Sequence, residues 1–164
     1  MIFAFTLPII SYSQITKAEI VATGLTCSMC SNAINKQLKV MPQVDNVATN
    51  LDTNTFTVIL KKDSEITPQQ LKQCVEKAGF FVGSMIITMT LDNPKLDSQA
   101  SLNQGESTYV FLDSEAKKIT EEVKAKVLDE GFVTKKEYKK LLKSFSQYNT
   151  YAAGNKDTYH LQLI

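Results

Sequence analysis

The stretch "VATGLTCSMCSNAINKQL", Val21 to Leu38, changes its hydrophobic period in the middle. Upstream of Gly24, the run "TKAEIVAT" (Thr16–Thr23) sets Ala18, Ile20 and Ala22 on one side and Lys17, Glu19 and Val21 on the other, the period-two pattern of a strand. From Ser28 onward, Cys30, Ala33, Ile34, Leu38 and Met41 recur at three- and four-residue spacing, as one face of a helix requires. Gly24 ends the strand and Pro42 stops the helix. Cys27 and Cys30 therefore sit at a strand-to-helix junction.

Outward from that junction, "QVDNVATNL" and "TFTVILK" read as two strands joined by Asp52–Asn54, with Phe56, Val58 and Leu60 on one face of the second. A second helix is punctuated by Thr67 as N-cap, Pro68 at its first position and Gln70 three residues after the cap. Its stripe is Leu71, Cys74, Val75 and Ala78, and Gly79 closes it. "FFVGSMIITM" supplies another strand. The order strand, helix, strand, strand, helix, strand predicts an α+β, ferredoxin-like βαββαβ domain over residues 14–90, a four-stranded antiparallel sheet with both helices on one face.

Residues 91–107 turn polar, with Pro94 and Gly105, and read as a linker. Residues 108–164 form a second, small α+β segment. "TYVFLD" is a strand, "VTKKEYKKLLKSF" an amphipathic helix with Tyr138, Leu141, Leu142 and Phe145 inward, and "TYHLQLI" a closing strand. Between them, Ile119, Val123, Ala125 and Val127 suit alternation and Ala116, Ile119, Val123 and Val127 suit a helical stripe; the "DEGF" turn that follows favours a strand. No counterpart to "GLTCSMC" recurs, so the two parts are not repeats.

Charge excludes some functions. Eighteen basic residues, all lysine, balance 17 acidic ones, which leaves a net charge of +1 and no field to attract nucleic acid. With no arginine, the guanidinium forks that read guanine or clamp phosphate are absent from the sequence.

The apolar run Ile2–Ile10, followed by Ser11 and Ser13 at small-x-small spacing, reads as a signal peptide over residues 1–13, although no lysine precedes it. A bilayer span takes about 20 apolar residues, so no stable membrane insertion is expected. The expectation is a periplasmic or otherwise exported protein. Its three cysteines are an odd number and make no disulfide framework.

Two cysteines separated by two residues at such a junction can aim both sulfurs at one point, which suits a soft ion. Unsatisfied N–H groups at a helix start favour the thiolate, and Cys30, in the first turn, is expected to gain most. Two thiolates without further ligands match Cu(I) better than Zn(II), which takes four. The other candidates do not complete a zinc site. Cys74 reads as a small buried apolar residue, His160 as a solvent-facing strand residue, and Met29 as an exposed loop residue between the two cysteines.

"GLTCSMC" after a strand and opening a helix, together with "NLDTNTFTV" and "EKAGF", resembles the heavy-metal-associated domain family over residues 16–89. That family includes copper chaperones, amino-terminal domains of copper-transporting ATPases and the periplasmic mercury-binding protein. The resemblance implies Cys27 and Cys30 as metal ligands, with Gly24, Leu25, Thr26, Ser28, Met29 and Phe80 as supporting residues of the metal loop. Leu25 stands where the family usually has Met, an inward-packing residue, and Phe80 would shield the site.

The expected function is non-enzymatic: holding Cu(I), or another soft or borderline ion such as Hg, Zn or Cd, for sequestration or for transfer to a metal-transporting ATPase or other thiol-bearing acceptor. The same cysteine pair also admits a thiol–disulfide redox protein, against which stand the absence of Trp and of Gly-Pro between the cysteines. A third reading makes residues 106–164 a protein-interaction module.

Overall fold

The computed structural model describes residues 13–91, 100–112 and 121–164. The expected first half is present as β1 (Ser13–Thr23), α1 (Ser28–Lys39), β2 (Val44–Asn50), β3 (Thr55–Leu60), α2 (Pro68–Lys77) and β4 (Phe81–Leu91). α2 begins with a reciprocal capping box. The Gln70 amide donates to the Thr67 hydroxyl at 3.3 Å while the Thr67 amide donates to the Gln70 side-chain oxygen at 2.9 Å. The second half adds β5 (Ser101–Gln104), β6 (Ser107–Leu112), β7 (Glu122–Val127), α3 (Lys135–Ser144), α4 (Asn149–Ala153) and β8 (Thr158–Leu163). The expected leader lies outside the described residues except for Ser13, which opens β1.

All the strands join one sheet in the order β2-β3-β1-β4-β7-β8-β6-β5. β1 is flanked by β3 and β4, both antiparallel to it. β7 then pairs antiparallel with the free side of β4, from Ile86↔Lys126 to Thr90↔Glu122, so the second half extends the sheet of the first. β6 and β8 are the sheet's parallel pair.

Part of the expected linker is strand. Within 91–107, Leu91 ends β4, residues 92–99 lie outside the described residues, and Ser101–Gln104 forms a hairpin with β6. The hairpin turns on Gly105 and Glu106, with Gly105 at φ +57 in the first central position, the residue that a type II′ turn asks for. The polar run concealed β5 because an edge strand need bury little.

Two apolar layers hold the sheet. On one face, Ile34 and Leu38 of α1 and Leu71 and Val75 of α2 pack over Ala18, Ile20, Phe56, Val58, Met85 and Ile87. Burying each large side chain stabilises by about 1.5–3 kcal/mol. The layer runs on without a break through Val123, Ala125, Val127, Tyr109, Phe111, Tyr159 and Leu161. Val110 and Leu112, alternating with Tyr109 and Phe111, belong to a second layer with Leu128, Val133, Phe145 and Tyr151. α3 and α4 therefore cover the face opposite α1 and α2, with Tyr138, Leu141 and Leu142 packed inward.

His160 does not face solvent. It is 1% exposed, its Nδ1 lies 2.7 Å from Asp129 Oδ1, its Nε2 lies 3.0 Å from Thr150 Oγ1, and its ring meets Tyr151 edge-on. Alternation alone implies a strand packed on one side, whereas β8 is an interior strand covered on both.

Candidate metal centre

β1 delivers the chain to the junction and α1 carries it away. Gly24, at φ +86, reverses the backbone after β1; this is a left-handed conformation that L side chains rarely adopt. Close to where a Gly24 side chain would start, 3.9 Å away, lies the Phe80 ring, half-buried against the core. Leu25 also packs inward. Thr26, Cys27 and Ser28 are exposed, and Cys30 is half-buried. Met29 is 81% exposed as expected, though it belongs to the first turn of α1 rather than to the loop.

Cys27 and Cys30 are free thiols whose sulfurs lie 3.1 Å apart. Cys27 is the N-cap of α1, in extended conformation, and its carbonyl accepts the Cys30 amide at 3.1 Å. The Cys27 thiol is held below its ordinary value, first by the hydrogen bond with the Cys30 side chain. The Cys30 and Met29 amides and the Thr26 side chain act in the same direction. Those amides point towards the sulfur without closing a full capping bond. The lowering falls on Cys27 because, as the N-cap residue, it presents its sulfur to the free end of the helix.

Neighbouring contacts fix the loop's two ends. Thr23 Oγ1 donates to the Phe81 carbonyl at 3.3 Å, and Asn35 Nδ2 donates to Thr49 Oγ1 at 2.7 Å, tying α1 to β2. Gly83 was missed by sequence reading. A Cβ there would lie 2.5 Å from Thr23 Cγ2, so any other residue would have to push aside the side chain that leads into the loop. A glycine inside a strand pattern is the signal that could have marked it.

Among the described residues, no group of three or more His, Cys, Asp and Glu side chains is placed to hold a metal ion. His160 is engaged by Asp129 and Thr150. Cys74 lies buried in α2, as expected, and its thiol donates to Met41 Sδ at 3.2 Å; burial holds that thiol above its ordinary value. The dithiol is thus a donor set of two soft sulfurs with an open side.

This half of the chain is similar to known proteins. The heavy-metal-associated domain profile matches residues 20–81. The chain is 31% identical over 67 residues to the copper chaperone CopZ of Staphylococcus epidermidis, an alignment covering 41% of this chain and 97% of that protein. It is 39% identical over 57 residues to the copper-transporting ATPase of Saccharomyces cerevisiae, covering 35% of this chain but only 6% of the ATPase. The solved yeast copper transporter domain Ccc2a, in apo and Cu(I)-loaded states, shares 34% identity over 40% of this chain and 88% of that one, with a TM-score of 0.36. Through its βαββαβ half, the chain belongs to the heavy-metal-associated domain family.

Proposed function

We propose that this protein is a non-enzymatic carrier that holds one Cu(I) on Cys27 and Cys30 and passes it to a thiol-bearing acceptor, such as a metal-transporting ATPase. The observation that carries the reading is the pair of free, outward-lying sulfurs 3.1 Å apart, with the Cys27 thiol already lowered. Relatives whose names record a copper chaperone and a copper-transporting ATPase support the choice of ion.

The spacing says what loading requires. With metal–sulfur bonds of about 2.3 Å, sulfurs this close would subtend roughly 85° at the ion, whereas a two-coordinate ion places its ligands nearly opposite each other. The pair must open, and the exposed Cys27 side chain is free to swing while Cys30 is held by α1. The loaded dithiolate carries one negative charge, which the positive end of α1 favours. An incoming thiolate can join the under-coordinated ion before a first ligand leaves, so transfer needs no free ion.

Export is part of the proposal, on the strength of the Ile2–Ile10 run and Ser11/Ser13. The intact mass of protein recovered from its source would test it through loss of the first 13 residues. The central test is metal content per chain after purification without oxygen, with Cu(I) and Zn(II) in competition. One Cu(I) per chain supports the reading, and retention of Zn(II) in its place sinks it.

A further inference from the structure

The chain contains a second contact between soft donors. Met41 follows the C-cap residue of α1, Cys74 lies on the inward stripe of α2, and their sulfurs are 3.2 Å apart, nearly the separation found in the dithiol, so this pair too must open to grip a two-coordinate ion, a movement that the unbranched, half-buried Met41 side chain allows. α1 runs from the Cys27 end to the Met41 end through 12 residues, so at a rise of ~1.5 Å per residue the two sulfur pairs are separated by about 18 Å.

We propose that Cys74 and Met41 form a second, weaker site for a monovalent soft cation of the Cu(I) or Ag(I) class, filled independently of Cys27 and Cys30. The inference rests on the reading of this protein as a soft-ion carrier, since that is what brings such ions to the chain.

Charge bookkeeping distinguishes the two sites. One thiolate, one thioether and one monovalent cation sum to zero, and a neutral unit can be buried without the heavy cost of an isolated charge. Two thiolates and the same cation sum to minus one, which suits the exposed N-terminal end of α1. The opposite end of α1, where Met41 sits, carries the negative pole of the helix and favours a cation. Thiolate and thioether are both soft ligands. Burial opposes ionisation of Cys74 and the charge of Lys77 favours it, so the proton must be displaced by the incoming ion. The step balances: the Cys74 S–H bond breaks, a sulfur–metal bond forms, one proton goes to buffer, and nothing is oxidised or reduced. The weaker affinity follows from exchanging a thiolate for a neutral thioether and from the cost of ionising a buried thiol.

The test uses full-length, reduced protein carrying Cys27→Ser and Cys30→Ser, titrated with Ag(I) in thiol-free, chloride-free buffer without oxygen and followed by native mass spectrometry. The expected result is one bound ion per chain with one proton released, and loss of that ion when either Cys74→Ala or Met41→Leu is added. Met41→Leu conserves volume, and its circular dichroism should match that of the parent. A double-serine protein that binds no Ag(I), or an ion that stays when Met41 is leucine, overturns the proposal. The dithiol reading is decided separately on the wild-type and Cys74→Ala chains, so the two failures cannot be confused.

Discussion

Lys124 of β7 reaches across β4 and places its ammonium 2.7 Å from the Glu19 carboxylate of β1. The bond links the two halves of the sheet from outside the apolar layers. Both side chains are partly exposed, so the pair should stabilise by roughly 0.5 kcal/mol. The hydrogen bond from Lys124 holds the Glu19 carboxyl below its ordinary value of 4.5, with the charge of Lys17 helping and burial opposing. A depressed carboxylate contributes its stabilisation fully above the ordinary value and loses it as the pH falls through the lowered one. Glu19→Gln should therefore have a lower urea midpoint than wild type at pH 7, and the gap should close in acid. A gap unchanged by acid would mean that Glu19 acts through packing.

Residues 13–91 alone should fold and bind the same ion, because β1 to β4 and both helices complete the βαββαβ unit. The fragment should melt at a lower temperature than the full chain. Removal of β7 leaves Ile86–Thr90 as an open edge, and the shared apolar layer loses Val123, Ala125 and Val127. Circular dichroism and sedimentation would check both points; an unfolded fragment would show that β7 is required to complete the first half.

Cys27→Ser and Cys30→Ser should each abolish tight Cu(I) binding while leaving the melting temperature nearly unchanged, since Cys27 is exposed and Cys30 half-buried. Cys74→Ala should do the reverse, retaining the tight site and losing about 1 kcal/mol of stability to a small cavity. Competition with a Cu(I) chelator and a thermal melt on the same samples separate the two effects.

Oxidation should silence the dithiol. The sulfurs need approach only from 3.1 Å to a bond of about 2.05 Å, and the resulting disulfide has no thiolate to offer. Binding should return on reduction, and bound Cu(I) should protect both thiols from alkylation, as counted by mass spectrometry. Cysteines left fully reactive by copper, in a protein that cycles with a reductase, would favour the redox reading.

The βαββαβ half was legible because its signals are local. Alternation from Thr16 to Thr23, the Thr67/Gln70 capping box and "GLTCSMC" each name their own element. What escaped depends on partners distant in sequence. Nothing in "MIITM" says that "EVKAK" will pair with it, yet that pairing merges two expected units into one sheet. The burial of His160 follows from the same cause, because a strand becomes interior only when others flank it and helices cover both faces. Strand β5 and the five-residue α4 are too short for periodicity to register. At the site, sequence places Cys27 and Cys30 at the junction but not the hydrogen bonds that lower the Cys27 thiol, since which amides meet that sulfur depends on where the first helical residue falls.

The position of β8 imposes an order on biosynthesis. It lies between β7 and β6 although it is made after both, so those strands have no hydrogen-bonding neighbour on that side until Thr158–Leu163 arrives. The dithiol loop waits for nothing of the kind, because every strand and helix of its half is made by Leu91. A nascent chain paused after α3 thus carries a finished metal loop beside an unpaired β7 edge. In that interval the unpaired edge is most open to faulty association.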